Sequence, residues 1–443
     1  MKRNWIFFTV LAVVLFSLSN KKEHISAFAN ERYSELQLFA KVLNLVQQYY
    51  IEEKDTKKLI YGGIKGILNE LDPHTNFLPP ETFKEFEAET SGEFGGLGIE
   101  ITVKDEVLTI ISPIEDTPAA KAGLQAGDRI VSINGESTKG LNLVEAAQRM
   151  RGDMGSSVTL GIMREGLSES KDYVIHRGRV KVRSVRFSDL EDGYAYVRLT
   201  TFIENTARDL ERVLRSHEKK NGGIRGLILD LRRNPGGLLE QAVRISDMFL
   251  EEGVIVSTKG RNKMEQEVRH ARGPANFAGF PIVVLIDEYS ASASEILAGA
   301  LQDNKRALVM GQRSFGKGSV QSVVKLGDGS GLKLTVARYY TPNGRSIQAE
   351  GIAPDVEVAA VNMAALERAK SRGPVRREQD VVGHLQGEPQ VSGKESPLRR
   401  NWWRGRERES TPLPLSEREK LLQEDYQLTQ AFNYLKAFQV MNN

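Results

Sequence analysis

The spacing of hydrophobic residues along the chain changes several times, and each spacing predicts a different kind of element. Between residues 31 and 86, apolar side chains recur at steps of three and four, first over 36–46 and again over 59–71. This period places them on one face of a helix, so the segment 31–90 is predicted to be helical. The sequence Leu71-Asp72-Pro73-His74 ends the second helix, because proline cannot continue it.

Past residue 91 the apolar residues form short runs separated by glycine-containing turns. Asn134-Gly135 has the composition of a hairpin turn, and a helical pattern follows over 141–150. This pattern predicts one compact domain over residues 92–178, with strands at Gly98–Val103, Val107–Ile111 and Arg129–Ile133.

From residue 194 onward, strand patterns alternate with helix patterns. Three apolar runs are each followed by an amphipathic stretch, namely Tyr194–Leu199, Leu227–Leu231 and Ile282–Ile286. Such an alternation predicts an α/β unit with a largely parallel sheet over residues 179–360. The predicted fold class is therefore α/β, in a multidomain chain that is α+β as a whole.

The two ends of the chain differ in composition from its middle. Lys2 and Arg3 precede an apolar run that is short for a bilayer span, so residues 1–29 are predicted to be a signal peptide or membrane anchor of an exported chain. Residues 370–413 are rich in Arg, Pro, Gly and Glu, so the segment 361–413 is predicted to be a disordered basic linker. Apolar spacing returns in the segment 414–443 and predicts a final helix near Ser416–Val440.

Charge and composition exclude several classes of function. The chain has 443 residues, with 61 Lys and Arg against 58 Asp and Glu. Charges so nearly balanced give no general basic field, so we expect no nucleic-acid partner. The absence of cysteine excludes disulfides, iron–sulfur clusters and a thiol nucleophile. The histidines are scattered without a metal-binding spacing, so we expect no metal site and no cofactor.

A glycine-rich turn, Gly95-Gly96-Leu97-Gly98-Ile99, opens the compact domain. Backbone N–H groups in such a turn converge on a carboxylate, and the edge of the strand that follows can pair with an extended peptide. The turn therefore predicts a binding site for the free end of a polypeptide. Arg151 comes directly after the helical pattern of this domain and is a candidate gating residue.

A serine follows one of the predicted buried strands. The run Ile282–Ile286 leads to Ser292, and an apolar helical stretch comes next. A serine delivered to the first turn of a helix lies beside unpaired N–H groups, which can stabilise an oxyanion. Ser292 and Glu295 also have the spacing of a capping box, so this motif alone favours a structural helix cap over a nucleophile.

The segment Gly311–Gly318 nearly matches a phosphate-binding loop. Gly318 stands where such loops have the Ser or Thr that binds Mg²⁺, which weakens a nucleotide-binding interpretation. Lys317, if it is kept neutral by burial, can instead act as general base for a serine, although a solvated surface lysine is the alternative. Gln321 projects on the same side of the chain and is a candidate to orient the amine.

Another predicted strand ends at Asp230 and leads into Asn234-Pro235-Gly236-Gly237. Two glycines after a proline leave backbone N–H groups bare, and such groups are natural oxyanion donors. The structural alternative is an ordinary turn.

Taken in order, these segments resemble the carboxyl-terminal processing proteases, also called tail-specific proteases, over residues 31–360. The glycine-rich turn and the segments around Gly123, Asp128 and Asn134 resemble a PDZ domain. The other matching segments are Leu71–Thr75, Asp230–Arg232, Asn234–Gly237, Ser290–Glu295, Phe315–Gly318 and Tyr340–Pro342.

The resemblance implies an exported serine endopeptidase that captures C-terminal tails with its PDZ domain. It implies Ser292 as the nucleophile, Lys317 as the general base and Gln321 as its positioning partner. The N–H groups of Ala293 and Gly236 are then implied to form the oxyanion hole. Two alternatives remain, a catalytically inactive PDZ scaffold and a nucleotide-dependent enzyme that uses residues 311–318.

Further features predict partners and location. The apolar faces over 36–46 and 59–71 exceed what one helix pair covers, so we expect a homodimer through these helices. Trp402-Trp403 among arginines departs from the family pattern and is a candidate contact for an anionic membrane or a partner, with a solvated linker as the alternative. The expected substrates are proteins with free, disordered C-terminal tails, in the bacterial periplasm or on the outer face of the cytoplasmic membrane.

Overall fold

A computed structural model describes residues 34–104, 107–114, 116–164, 166, 169–262, 266–361 and 417–442. The predicted signal segment and nearly all of the predicted linker lie outside these ranges. The chain divides into two units, one formed by the residues up to Phe83 with Ser322–Thr335, the other by Lys84–Gln321 with Val336–Asn443. In the described ranges, no helix is long and apolar enough to cross a membrane.

The first unit contains two N-terminal helices, α1 (34–49) and α2 (Thr56–Asn69), and the strand β1 (Asn76–Leu78). Asp55 begins α2, because its side chain accepts a hydrogen bond from the N–H of Lys57. Asp72 fixes the turn after α2 by accepting from the N–H of His74 and from the N–H and hydroxyl of Thr75. β1 then pairs antiparallel with residues 331–333.

The predicted compact domain lies in the second unit and contains an antiparallel sheet with two helices. Its elements and their flanking segments are α3 (Pro80–Ser91), which spans the division between the units, β2 (Glu93–Gly96), β3 (Ile99–Lys104), β4 (Val107–Pro113), α4 (Pro118–Lys121), β5 (Arg129–Ile133), β6 (Glu136–Ser137), α5 (Leu143–Met150), β7 (Ser157–Met163), β8 (Lys171–His176) and β9 (Gly178–Lys181). The sheet has the order β3-β4-β5-β7-β8, with β6 on β5. β2 and β9, where the chain enters and leaves the domain, pair with each other.

The rest of the second unit is an α/β domain. Its elements are β10 (Val185–Glu191), β11 (Tyr194–Leu199), α6 (Thr206–Asn221), β12 (Gly226–Asp230), α7 (Leu239–Phe249), β13 (Val254–Gly260), β14 (Gln266–His270), β15 (Ile282–Ile286), α8 (Ala293–Asp303), β16 (Leu308–Gly311), β17 (Ser319–Lys325), β18 (Gly331–Tyr340), β19 (Val356–Glu357), α9 (Glu417–Glu424) and α10 (Tyr426–Asn442). β17 and β18 cross the division between the units, and in the second unit β13 pairs with β14 and with the end of β18.

The central sheet confirms the predicted α/β class. Its order is β10-β11-β12-β15-β16-β19, and only β10 runs antiparallel to its neighbour. Alternate residues of β15 face opposite sides: Val284 packs with the core of α6, α7 and α8, whereas Val283 and Leu285 pack against α10. Because both faces are covered, the strand is apolar without interruption.

The end of the chain differs from the single helix predicted there. Two helices, α9 and α10, are separated at Asp425. Arg232, which follows β12, donates to the Asp425 carboxylate at 2.6 and 3.0 Å and to the side-chain oxygen of Gln427 at 2.8 Å. Leu428, Ala431, Phe432 and Leu435 of α10 are buried on the sheet, so this helix completes the core of the α/β domain.

Candidate active site

Three loops follow the carboxyl ends of β12, β15 and β16, which are neighbouring parallel strands. They contain Gly236, Ser292 and Lys317 respectively. Parallel strands end at the same edge of their sheet, and α/β domains bind their ligands at this edge. The topology therefore places three of the predicted site residues on adjacent loops.

Ser292 occupies a sharp turn between β15 and α8. Its backbone has φ 56° and ψ −112°, a region that residues other than glycine rarely adopt. The residue is half-buried and directly precedes the first residue of α8. A strained serine between a strand and a helix presents its hydroxyl at the end of the sheet, as a nucleophile requires.

The carboxylate of Glu295 joins the serine loop to the lysine loop. One oxygen, Oε2, accepts from the N–H of Ser292 at 2.7 Å and from the N–H of Lys317 at 2.9 Å. The other oxygen accepts from the Ser314 hydroxyl and the Gly316 N–H, both at 2.6 Å. The Ser292–Glu295 spacing thus does more than begin a helix, because the same carboxylate fixes the backbone of the predicted base.

Glu295 is completely buried. Burial raises the pKa of its carboxyl group above the ordinary value, although the four hydrogen bonds from Ser314, Gly316, Ser292 and Lys317 oppose this shift. All four groups donate to the carboxyl oxygens, so the hydrogen bonds favour the carboxylate form while burial favours the protonated form.

Gly236 lies directly against the serine loop. A Cβ on this residue would lie 2.7 Å from the Ala291 carbonyl oxygen and 2.9 Å from the Ser292 Cβ, and its φ is +100°, so only glycine fits. Its N–H, however, donates to the side-chain oxygen of Asn234 at 2.9 Å. The contribution of this N–H to an oxyanion hole stays a prediction. The N–H of Ala293 donates no hydrogen bond within the described ranges.

Gln321 has a partner other than the predicted one. Its side-chain amide donates to the Ser319 hydroxyl at 2.8 Å, two residues away on β17. Its role beside Lys317 stays a prediction.

Sequence reasoning missed the structural role of Asn234. This side chain is fully buried and donates to the Leu199 carbonyl oxygen at 2.8 Å. The backbone carbonyl oxygen of Asn234 accepts from the Ala291 N–H and the Ser294 hydroxyl. Asn234 thereby holds the glycine loop on the serine loop. The sequence signal that could have indicated this role is the position of Asn234 after a buried strand and before Pro-Gly-Gly.

The Gly311–Gly318 segment does not have the arrangement of a phosphate-binding loop. The N–H groups of Gly316 and Lys317 donate to Glu295, and that of Gly318 donates to the Gln348 side chain at 3.1 Å. The strand β17 follows, whereas a phosphate-binding loop leads into a helix. The described residues also contain no cluster of three or more His, Asp or Glu placed to hold a metal ion.

Two carbonyl groups of the glycine-rich turn accept hydrogen bonds from the same domain. Leu97 accepts from the Ala119 N–H at 2.9 Å, and Gly98 accepts from the Ile114 N–H at 2.8 Å. Gly98 has φ +76°, and a Cβ there would collide with Thr117. In the described part of the chain, the buried N–H groups of Leu97 and Gly98 donate no hydrogen bond. These two N–H groups are therefore available to a ligand.

Arg151 lies at the edge of the compact domain, after α5. Its guanidinium lies 4.7 Å from the centre of the Phe94 ring and 3.7 Å from the Glu89 carboxylate. The structure thus pairs Arg151 with the segment through which the chain enters the domain, and its gating role stays a prediction.

Comparison with known proteins identifies the families that this chain matches. Residues 193–358 match peptidase family S41, and residues 109–164 match the PDZ domain. The carboxy-terminal-processing protease of Bartonella bacilliformis is 41% identical over 87% of this chain and 89% of its own length. The carboxy-terminal processing protease CtpB of Bacillus subtilis is 37% identical over 74% of this chain and 69% of its own length.

A solved structure, the photosystem II D1 C-terminal processing protease, is 33% identical, covers 74% of this chain and 93% of its own, and has a TM-score of 0.45. The matches to peptidase family S41 and to the PDZ domain define a serine peptidase that contains a PDZ domain. More particularly, the chain belongs to the carboxy-terminal processing proteases of peptidase family S41.

Proposed function

We propose that this protein is an exported endopeptidase that captures the C-terminal tails of protein substrates with its PDZ domain and cleaves them at a Ser292–Lys317 site. The observation that best supports the site is the Glu295 carboxylate, which accepts from the backbone N–H groups of both residues. An acceptor shared in this way holds the nucleophile loop and the base loop in one arrangement, and such preorganisation makes acyl transfer possible.

In the proposed mechanism, the neutral amine of Lys317 takes the proton of the Ser292 hydroxyl as the oxygen attacks the scissile carbonyl. The N–H of Ala293, at the start of α8, donates to the oxyanion that forms. Lys317 then gives the proton to the leaving amine, and water hydrolyses the acyl-enzyme. Gly236 contributes by its small size, because any side chain there would displace Ser292.

The proposed tail capture rests on the glycine-rich turn. A free C-terminal carboxylate would accept from the N–H groups of Leu97 and Gly98, and the rest of the tail would pair with β3. β3 is available for pairing because it forms the edge of its sheet, bonded to β4 alone among the described strands.

Export is proposed from the charged and apolar N-terminal segment, with the periplasm or the outer face of the cytoplasmic membrane as the location. Contact of the Arg- and Trp-rich segment near Trp402 with an anionic membrane or a partner stays a proposal of the same kind.

Cleavage of a folded protein with a disordered tail, in EDTA and without nucleotide, tests this function. We expect cleavage by the purified chain, none by Ser292→Ala, and much slower cleavage when the tail ends in an amide. Equal cleavage of free and amidated tails would contradict tail capture, and cleavage by Ser292→Ala would contradict the assignment of the nucleophile.

A further inference from the structure

The PDZ domain contains a cavity at the opposite end of β3 from the glycine-rich turn. It has a volume of about 840 Å³ and lies between Val103, near the end of β3, and residues 140–142, just before α5. The carboxyl end of α5 lies beside the turn instead, because the N–H of Gly152 donates to the Gly95 carbonyl oxygen at 3.2 Å. β3 and α5 therefore run side by side, with the carboxylate site at one end and the cavity at the other.

The walls of this cavity are fixed by internal hydrogen bonds. Thr138 is buried, and its hydroxyl and N–H donate to the carbonyl oxygens of Ile130 and Val131. The N–H of Leu141 donates to the Thr138 carbonyl, and its side chain packs on the domain core. The apolar lining of the cavity consists of Val103, which is 45% exposed, with Val107, Val131 and Leu141, and Ser137, Lys139 and Asn142 are its other polar lining.

The position of the cavity selects a particular residue of a bound tail. A tail with its carboxylate at Leu97 and Gly98 has its C-terminus at the start of β3. Its earlier residues then lie along the strand toward Val103, so the tail runs antiparallel to β3. Strands advance about 3.3 Å per residue, so Val103 lies level with a residue about four before the C-terminal one. Side chains at even separations point to the same side, so this residue and the terminal residue face the same wall of the groove.

We propose that this cavity is a second binding site for the substrate tail, which takes a large apolar side chain about four residues before the C-terminal residue. This inference rests on the proposed capture of tails by the PDZ domain. It adds a requirement to the substrate class, namely a free carboxylate together with an apolar residue at a fixed distance upstream.

The test measures the affinity of short fluorescent peptides for the full chain with Ser292→Ala, which prevents cleavage. The peptides share their last three residues, and one Leu replaces Ser at successive upstream positions. We expect about tenfold tighter binding when Leu stands about four residues before the end. Val103→Gln should abolish this preference, whereas Val174→Gln should retain it, since Val174 is an exposed valine on the other edge strand, β8.

The same peptides test the second binding site separately from the proposed tail capture. A positional preference that is absent, or that persists in Val103→Gln, overturns the second site. Amidated peptides provide the other comparison: if they bind as well as free peptides, the proposed tail capture is wrong. Binding that depends on the carboxylate but not on the upstream Leu leaves tail capture standing and refutes the second site alone.

Discussion

At the scale of single residues, the site depends on one buried carboxylate. Each oxygen of Glu295 accepts two hydrogen bonds, one oxygen from Ser292 and Lys317, the other from Ser314 and Gly316. Glutamine has the same shape as glutamate but only one accepting oxygen. In place of Glu295, its NH₂ group would face two of the four donors.

Glu295→Gln should therefore lower kcat by about two orders of magnitude, because the serine and lysine loops lose their shared acceptor. Affinity for tail peptides should be unchanged, since the proposed tail site lies in the PDZ domain. Steady-state kinetics and peptide binding measure the two effects. The control is Glu288→Gln, an exposed acid in the same loop. Equal activity of both variants would refute the positioning role of Glu295.

The raised pKa of Glu295 predicts a loss of activity on acidification, beginning above the ordinary range of a glutamate. Protonation turns an accepting oxygen into a donor and releases one of the loops. The sign for stability is the opposite: a raised carboxyl pKa means that folding favours the protonated form, so this group stabilises the fold at low pH. The activity of the wild type should fall as the pH is lowered. The melting temperature should show no matching loss that is specific to Glu295, which is measured as the difference between the wild type and Glu295→Gln at each pH.

Ser292, Lys317 and Gly236 could be predicted as parts of one site because the sequence resembles a known family. The hydrogen bonds that position them could not be predicted. The link from Glu295 to Lys317 joins residues 22 positions apart along the chain. No local pattern distinguishes this use of Glu295 from an ordinary helix cap, and the capture of the Gly236 N–H by Asn234 is likewise a matter of side-chain geometry.

At the scale of elements, the last two helices are fixed to the sheet by an ion pair. Asp425 stands between α9 and α10 and accepts from Arg232, which also donates to the buried Asp230. Burial alone would raise the pKa of Asp425, but the hydrogen bonds and charge of Arg232 outweigh it and hold the pKa below its ordinary value.

Asp425→Asn should reduce the free energy of unfolding by about 1–3 kcal/mol at neutral pH, because a hydrogen-bonded charge pair is broken. Since the folded pKa is lowered, this stabilisation is present above the unfolded pKa and is lost as pH falls through the folded one. Urea titrations should therefore show a difference between variant and wild type that shrinks below about pH 4. Glu424→Gln, an exposed neighbour, is the control, and a difference independent of pH would contradict this account.

The periodic spacing predicted most helices and strands of the α/β domain, because their apolar positions must face a core. The same reasoning missed the break at Asp425 and where the final helices pack. An apolar face on α10 shows that something is buried, but its partners, Tyr194, Ile228 and Leu285, lie far away in sequence. The uninterrupted apolar strands β12 and β15 were the complementary signal, since they require a cover on both faces.

At the scale of the whole molecule, the N-terminal helices present an apolar surface. Phe39 of α1 approaches Gly63 of α2, so the two helices pack together. Large apolar side chains nevertheless stay exposed on this unit, namely Leu36, Leu38, Phe39, Val42, Leu45, Tyr49, Tyr50, Ile51, Ile60, Ile67 and Leu71. So many exposed apolar side chains on neighbouring helices usually mark an interface.

We predict that a second copy of the chain covers this surface in a homodimer. Sedimentation at micromolar concentration should show a dimer for the wild type and a monomer for the double variant Leu38→Glu, Val42→Glu. Both side chains are exposed in the single chain, so the substitutions should leave its folding intact. A wild-type monomer under these conditions would remove the prediction.

The central claim is that Ser292 attacks with Lys317 as its base. Its most direct test is the initial rate of tail cleavage as a function of pH, in EDTA and without nucleotide, for the wild type, Lys317→Ala and Lys317→Arg. The wild-type rate should rise from neutral to alkaline pH as the amine loses its proton. Both variants should stay at background at every pH, because alanine has no base and arginine keeps its proton. Substantial cleavage by Lys317→Ala would contradict the account.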